Sequence, residues 1–232
     1  MTKDTLNTID PKRTKVIACA TVMEEMQPFL PSEMSREVLE FGLHSDPDKL
    51  RKALQSAIDL SDPAAETILL GYGLCSRAVT GLKSESRTLV IPKIDDCIGI
   101  FLGSSEEYNA QHRNEPGTLY QTKGWIEAGQ KERKAHSERH EAMVKRYGEE
   151  KVRSLMKQMI KNYTRMVFIN TGNYEIERYR EYSQREAARQ GLRYEEIAGS
   201  SAIVKKLLCG PWDKDIIIVP PGRAISFLDF RY

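Results

Sequence analysis

Long hydrophobic runs are missing from this chain. No apolar stretch approaches the roughly 20 residues that cross a bilayer, and Met1 to Lys15 is polar, without the apolar core of a secretory leader. Both absences point to a cytoplasmic protein with no membrane partner. Cysteine is scarce as well: four in 232 residues are too few for a secreted disulfide scaffold, and a reducing compartment keeps them as thiols or metal thiolates. No C-x-x-C pair occurs, which argues against zinc ribbons and knuckles, whose ligands come in short-range couples. A large surplus of one charge is also lacking. The formal net charge of +2 gives no global case for nucleic acid. The one uneven stretch, Lys131 to Arg165, carries eleven Lys/Arg against five Asp/Glu and reads as a solvated helical face, with a polyanionic partner as the alternative.

What is present is the composition of an ordinary globular protein, 40% hydrophobic and 29% charged, in a chain long enough for one large core or two compact lobes. The pattern along it is α/β. Lys15 to Thr21, Thr67 to Tyr72, Thr88 to Ile91, Met166 to Asn170 and Asp215 to Val219 are short apolar runs of the kind buried in parallel sheets, with Glu37 to Gly42 and Leu192 to Ile197 as further short strands. Between them fall helical segments. Thr21 to Leu30 carries Glu24 and Glu25 in its first turn. Pro47 to Leu60 has Leu50, Leu54 and Ile58 on one face, Tyr174 to Gln190 stops at Gly191, and Ser201 to Leu208 is apolar. Cys75 or Ser76 opens a further helix toward Gly81, and Asp95-Asp96-Cys97 opens one through Leu102. Gly103 to Trp125 reads as a long loop beside a site. In Glu149 to Tyr163 the residues Val152, Leu155, Met156, Met159, Ile160 and Tyr163 recur at helical spacing, which predicts a packed face. The fold class expected is therefore α/β, with two Rossmann-like lobes, mostly parallel sheets and a helical insertion. Residues 1–14 form a disordered N-terminus, 15–125 the first lobe, 126–164 the insertion and 165–232 the second lobe.

Three of the four cysteines sit where an expected strand runs out: Cys19 after Val16-Ile17-Ala18, Cys75 after Leu70-Gly71-Tyr72-Gly73-Leu74, and Cys97 just beyond Leu89-Val90-Ile91-Pro92. Ligands of open α/β sheets bind along that edge, so parallel neighbouring strands would bring three distant thiols to one crevice. Three thiolates with one open position describe a cubane iron–sulfur cluster or a catalytic zinc, and soft sulfur donors without a nearby imidazole favour the cluster. Gly71 and Gly73 would let the backbone approach a bulky group, and helix-start amides at Cys75 and Cys97 would stabilise thiolate. The plainer reading makes the three cysteines small buried hydrophobes. Cys209, at a helix end before Gly210-Pro211, reads as core or cap rather than a fourth ligand.

These segments resemble the domain of unknown function 1638 family. The resemblance is carried by Ile17-Ala18-Cys19, Leu70-Gly71-Tyr72-Gly73-Leu74-Cys75, Ile91-Pro92-Lys93-Ile94-Asp95-Asp96-Cys97, Leu102-Gly103-Ser104, Pro116-Gly117-Thr118-Leu119-Tyr120 and Gly124-Trp125. It implies an α/β protein with a three-cysteine centre and no imidazole ligand at Asp95, where the family pattern has His. It also implies, as an alternative role, a corrinoid-associated methyl-transfer accessory protein.

Other residues with chemistry lie around the cysteines. Asp95, Asp96 or Tyr72 could supply a proton, with helix capping the competing role for the aspartates and packing for the tyrosine. Ser76 and Tyr72 flank Cys75 and could bond a cluster ligand or anion. Thr171-Gly172-Asn173, read as a turn opening a helix, and Arg223 at the end of the last strand are candidates for an anionic group. His136 and His140 are four apart on one helical face, which here reads as solvated, and His44 and His112 have no motif around them. Tyr108, Tyr120 and Trp125 are candidates for a lid. The reading that follows is a [4Fe-4S] protein with Cys19, Cys75 and Cys97 as ligands and an open iron for a small-molecule substrate, with desulfuration or elimination as its chemistry. Zinc is the alternative metal, and a non-catalytic small-anion-binding module is the alternative class.

Overall fold

A computed structural model describes residues 9–131 and 133–231, and side chains in those ranges except 133–136. Most of the expected disordered N-terminus, residues 1–8, lies outside the described residues. The rest of it is ordered: Pro11–Arg13 makes a 3-10 turn capped by Asp10, and Thr14 already begins the first strand.

In chain order the elements are β1 (Thr14–Cys19), α1 (Ala20–Met26), β2 (Ser35–Leu39), α2 (Pro47–Asp59), β3 (Thr67–Gly71), β4 (Thr88–Pro92), α3 (Cys97–Leu102), α4 (Ser105–Asn114), β5 (Thr118–Gln121), α5 (Lys123–Lys131), α6 (Arg133–Tyr147), α7 (Glu149–Ile160), β6 (Arg165–Asn170), α8 (Glu177–Gln190), β7 (Arg193–Ala198), α9 (Ala202–Cys209) and β8 (Ile216–Val219). The α/β class with mostly parallel sheets is as the apolar runs predict. The division of the chain differs. One compact unit comprises residues 1–109 and 199–232, and the other is Ala110–Ala198.

The first unit holds a five-stranded sheet in the order β2-β1-β3-β4-β8, parallel except for β8, which runs antiparallel to β4 with Ile218 opposite Val90. The last strand therefore closes the first sheet instead of completing a second lobe over residues 165–232. An antiparallel edge strand needs no crossover helix, and its apolar Ile216, Ile217 and Val219 are buried there. Strands β1, β3 and β4 are buried along almost their whole length, which is why they read as continuous Val/Ile/Leu runs. Leu50, Leu54, Ala57 and Ile58 of α2 bury one stripe, as their spacing predicts. α9 packs on β3 and β4, and α1 on β1 and α9.

The second unit has a three-stranded parallel sheet, β5-β6-β7. Its core includes Ile126, Phe168 and Tyr179, with Tyr174, Ile176, Tyr182 and Tyr194 packed around them. Buried Arg165 is held by Thr118, Glu195 and Gln111 at 2.9–3.0 Å. The expected loop Gly103 to Trp125 is instead α4, β5 and the start of α5. Gly103 and Pro116-Gly117 mark the short joints, Asn109 sits within α4, and Thr118 to Gln121 gains partners from β6 that no local pattern encodes. The apolar face of α7 also departs from expectation: Val152 is buried, but Leu155, Met156, Met159, Ile160 and Tyr163 are exposed.

Gly71 shows how closely the first sheet's strands and helices are fitted. A Cβ there would lie 2.6 Å from the Ala18 Cβ of β1 and 3.2 Å from Met26 Cε. Gly71→Ala is expected to lower the unfolding free energy by about 1–3 kcal/mol through overpacking. Leu228→Ala, at a side chain 73% exposed, should stay within about 0.5 kcal/mol. Urea unfolding of the two variants checks both.

Candidate functional site

The strand order 2-1-3-4 places a topological switch point between β1 and β3. Chain connections leave these two strands in opposite directions, so a crevice opens beyond their carboxyl ends. Cys19 is the last residue of β1 and N-cap of α1, Cys75 lies four residues past β3, and Cys97 is the first residue of α3, five past β4. The three thiols are electrostatic neighbours there: a negative charge on Cys19 or Cys75 is felt at Cys97, and one on Cys19 at Cys75. Cys209 is not among them. It is the exposed final residue of α9, neither core nor a neighbour of the trio, because the buried stripe of that helix runs through Ile203, Val204, Leu207 and Leu208.

Two backbone bonds bring Cys75 to Cys97. Leu74 N–H donates to the Ile94 carbonyl and Cys75 N–H to the Asp95 carbonyl, each at 2.9 Å. Gly73 makes this lacing possible, since a Cβ on it would lie 2.9 Å from the Asp96 Cα and nitrogen and from the Ile94 oxygen. The space beside Gly73 is filled by protein backbone, so its role is loop-to-loop approach rather than room for a cofactor. Next come three successive residues with left-handed φ, Cys75 at 45°, Ser76 at 55° and Arg77 at 67°. None is glycine, and such angles cost on the order of 1 kcal/mol or more each. The helix expected to open at Cys75 is therefore a single tight turn, and its first amide is used by Asp95 rather than aimed at a sulfur. Ser76 is exposed on this turn.

Burial, followed by mutual repulsion, governs the electrostatics. Desolvation raises the Cys19 thiol, against hydrogen bonds from Thr21 Oγ1 at 3.2 Å and nearby amides. It pushes Cys75 up to about 12 and Cys97 well above its ordinary range, with the neighbouring thiols adding to both. Tyr72 is only 1% exposed, and its phenol is raised by burial and then by Cys19, Cys75, Cys97 and Glu37. Its hydroxyl is buried with no hydrogen-bond partner. Tyr72 thus stands against the trio as a neutral O–H with its hydrogen unspent. The His44 ring stacks on it at 6.0 Å between centroids, and His44 Nε2 is likewise buried without a partner. Burial lowers the His44 pKa, favouring neutral imidazole. Sequence reading missed this histidine. The only available signal was its place in the turn after β2, whose Leu39 pairs in register with Cys19.

The aspartates divide. Asp96 caps α3, accepting from Ile98 N–H at 2.8 Å on one oxygen and from the Tyr108 hydroxyl at 3.0 Å on the other. Its carboxyl is raised by burial, and with both oxygens engaged the capping role takes precedence over acid/base work. Asp95 is exposed. Tyr108 is therefore a partner of Asp96 on α4 rather than part of a loop lid, and Tyr120 and Trp125 are carried by β5 and α5 of the second unit.

The anion candidates belong to different units. Arg223 in the first unit donates to both carboxylate oxygens of Asp229 at 3.0–3.1 Å. Thr171 and Asn173 belong to the second unit, and the turn they form does not open a helix, because α8 begins at Glu177 with Ile176 as N-cap. Gly172 N–H in that turn is satisfied by Asn170 Oδ1 at 3.0 Å. His140 is exposed, as a solvated face predicts, and the side chain of His136 lies outside the described residues. Among the described residues no three His, Cys, Asp or Glu form a group able to hold a single metal ion as they stand, and no helix is long and apolar enough to cross a membrane.

Fold and site together define a class: an α/β protein whose open, mostly parallel sheet has three cysteines at its switch-point edge, Cys19 and Cys97 buried and Cys75 partly so. Within it, the chain belongs to the family described as Protein of unknown function (DUF1638), whose model matches residues 38–208. That segment contains Cys75 and Cys97 and begins after Cys19. No curated protein and no solved structure matches the chain.

Two measurements probe the site without any ligand. The unfolded chain releases thiol protons near pH 9, whereas the folded chain keeps them to higher pH. The unfolded state then binds fewer protons, so stability falls as pH rises above about 9, by up to about 1.4 kcal/mol per pH unit for each thiol still protonated. Urea midpoints of wild type and of the Cys19→Ser, Cys75→Ser, Cys97→Ser triple variant should diverge above that pH, wild type losing more. Parallel curves would contradict the buried-thiol assignment. Tyr72→Phe removes an unsatisfied buried hydroxyl and should stabilise the metal-free protein by about 1 kcal/mol, read from the same unfolding curves at pH 7.

Proposed function

We propose that Cys19, Cys75 and Cys97 hold a [4Fe-4S] cluster in a cytoplasmic protein, leaving one iron open to a small substrate. The observation that carries this reading is that three thiols, Cys19 and Cys97 buried and Cys75 partly so, are electrostatic neighbours of one another and of the partnerless Tyr72 hydroxyl at the β1/β3 switch point. The three thiols and the phenol are held neutral by desolvation, and a cation bound among them would favour the anionic, ligating form of the thiols. The donor set is all sulfur, which suits iron–sulfur chemistry. A tetrahedral zinc draws its sulfurs to about 3.8 Å from one another, given Zn–S bonds of about 2.3 Å. A cluster spreads its cysteines over several metal atoms and so asks for wider spacing between them.

Such a cluster, when bound, supplies a Lewis-acidic iron for eliminations or a sulfur acceptor for desulfuration. The chain's own residues do the rest. The three thiols give up their protons on loading, so uptake should speed up as pH rises. Tyr72, held neutral, is placed to donate a proton or hydrogen bond to a ligand atom beside the trio. Neutral His44, stacked behind it, can orient the phenol or take up its proton. Asp96 fixes the start of α3 and with it Cys97.

Anaerobic purification tests the reading. A brown protein with roughly four irons and four labile sulfides per chain is expected. Each of Cys19→Ser, Cys75→Ser and Cys97→Ser should lose the iron, and Cys209→Ser should keep it. One zinc per chain in a colourless protein would favour the zinc alternative, with or without a corrinoid-linked role. Metal loss confined to Cys209→Ser would overturn the ligand set.

A further inference from the structure

A cavity of about 330 Å³ lies in the first unit against the two laced loops, lined by Leu74, Asp95, Asn109, Phe227, Phe230 and Arg231. Leu74 precedes Cys75 and Asp95 lies two residues before Cys97, so the cavity shares its wall with the thiol site. The opposite charges on that wall do not meet: among the described residues neither Asp95 nor Arg231 makes an ion pair or a side-chain hydrogen bond. Arg231 instead lies over the Phe227 ring at 4.4 Å, and Arg77, at the end of the left-handed turn, lies over the same ring at 4.6 Å. Two guanidiniums resting on one aromatic ring, without a carboxylate, keep their hydrogen-bond donors available. Other charges of this unit are paired, as in Arg223 with Asp229 and Lys206 with Asp213 and Asp215.

We infer that this cavity binds a small zwitterion of the α-amino-acid class: Arg231 takes the carboxylate, Asp95 takes the ammonium, and Leu74, Phe227 and Phe230 cover an apolar side chain. A ligand carrying both charges satisfies both walls, whereas one with a single charge leaves the opposite wall unmet. The volume suits a molecule of that size. The cavity also gives the strained Cys75–Arg77 turn a purpose, since the left-handed run carries Arg77 to Phe227 while holding Cys75 at the thiol site. That the zwitterion is the substrate presented to the open iron rests on the reading under Proposed function; the binding itself does not.

Isothermal titration calorimetry of the full-length chain tests the inference with three probes of similar carbon skeleton at pH 7.5: L-norleucine with both charges, hexanoate with only the carboxylate, and pentylamine with only the ammonium. L-norleucine should bind at least tenfold more tightly than either of the others. Arg231→Gln should reduce it to the level of pentylamine and Asp95→Asn to that of hexanoate, with thermal melts checking that both exposed-site variants fold. The wild-type ranking stands without any variant. Hexanoate binding as tightly as L-norleucine would make this a plain anion site and overturn the proposal, as would equal binding of all three or no heat from L-norleucine at 10 mM, roughly the weak limit of useful small-ligand affinity. The titrations are run on metal-free and anaerobically isolated protein alongside iron analysis. Norleucine binding without iron sinks the cluster alone, and iron without norleucine binding sinks the cavity assignment alone.

Discussion

The pair of hydrogen bonds that ties the loop after β3 to the loop after β4 is the constraint on which the site depends. Leu74 and Cys75 donate to the carbonyls of Ile94 and Asp95, and Gly73 lets the two backbones come within contact of one another. Without that approach Cys75 would point into its own connection, and Cys97 would be an ordinary apolar residue at a helix start. With it, both stand beside Cys19 at the point where the sheet's connections part. The same lacing makes a wall of Leu74 and Asp95 for the adjoining cavity. A single backbone arrangement thus serves the thiols and the cavity together.

Two features of this edge cost stability at neutral pH: a phenol is desolvated without a partner, and three consecutive non-glycine residues take left-handed φ. The neighbouring thiols do not, because desolvation first and mutual repulsion second keep them neutral until the pH rises above the range of an ordinary thiol. Costs of this kind collect where a chain is shaped for something it binds. Asp96 contrasts with the phenol: also raised by burial, it has both oxygens bonded and acts as a structural cap.

Much of this was legible in the chain. The buried strands announce themselves as Val16-Ile17-Ala18, Ile68-Leu69-Leu70 and Leu89-Val90-Ile91, since burial on both faces demands continuous apolar runs. The stripe of α2 follows from its spacing. Misreadings arose where local signals compete with distant partners. Gly103 to Trp125 has loop composition yet contains α4 and β5, because β6 supplies the hydrogen bonds for Thr118 to Gln121. Cys75 resembles a helix start, but its amide is claimed by Asp95 from a segment twenty residues on in the chain. The stripe on α7 has the period of a packed face and is exposed, since periodicity records which residues share a side and not whether anything covers it.

The sequence alone determined that three thiols stand at strand ends, because strand length and burial are written in runs of five or six residues. Tertiary structure alone decided that these ends are neighbours. The order β2-β1-β3-β4 puts the switch point between Cys19 and Cys75, and no residue in either strand encodes its neighbour's identity. The same holds for His44 against Tyr72 and for Arg77 against Phe227, contacts between segments far apart in sequence. Local pattern fixes which face of an element is apolar; which elements then share an edge is settled by how all of those faces are buried at once.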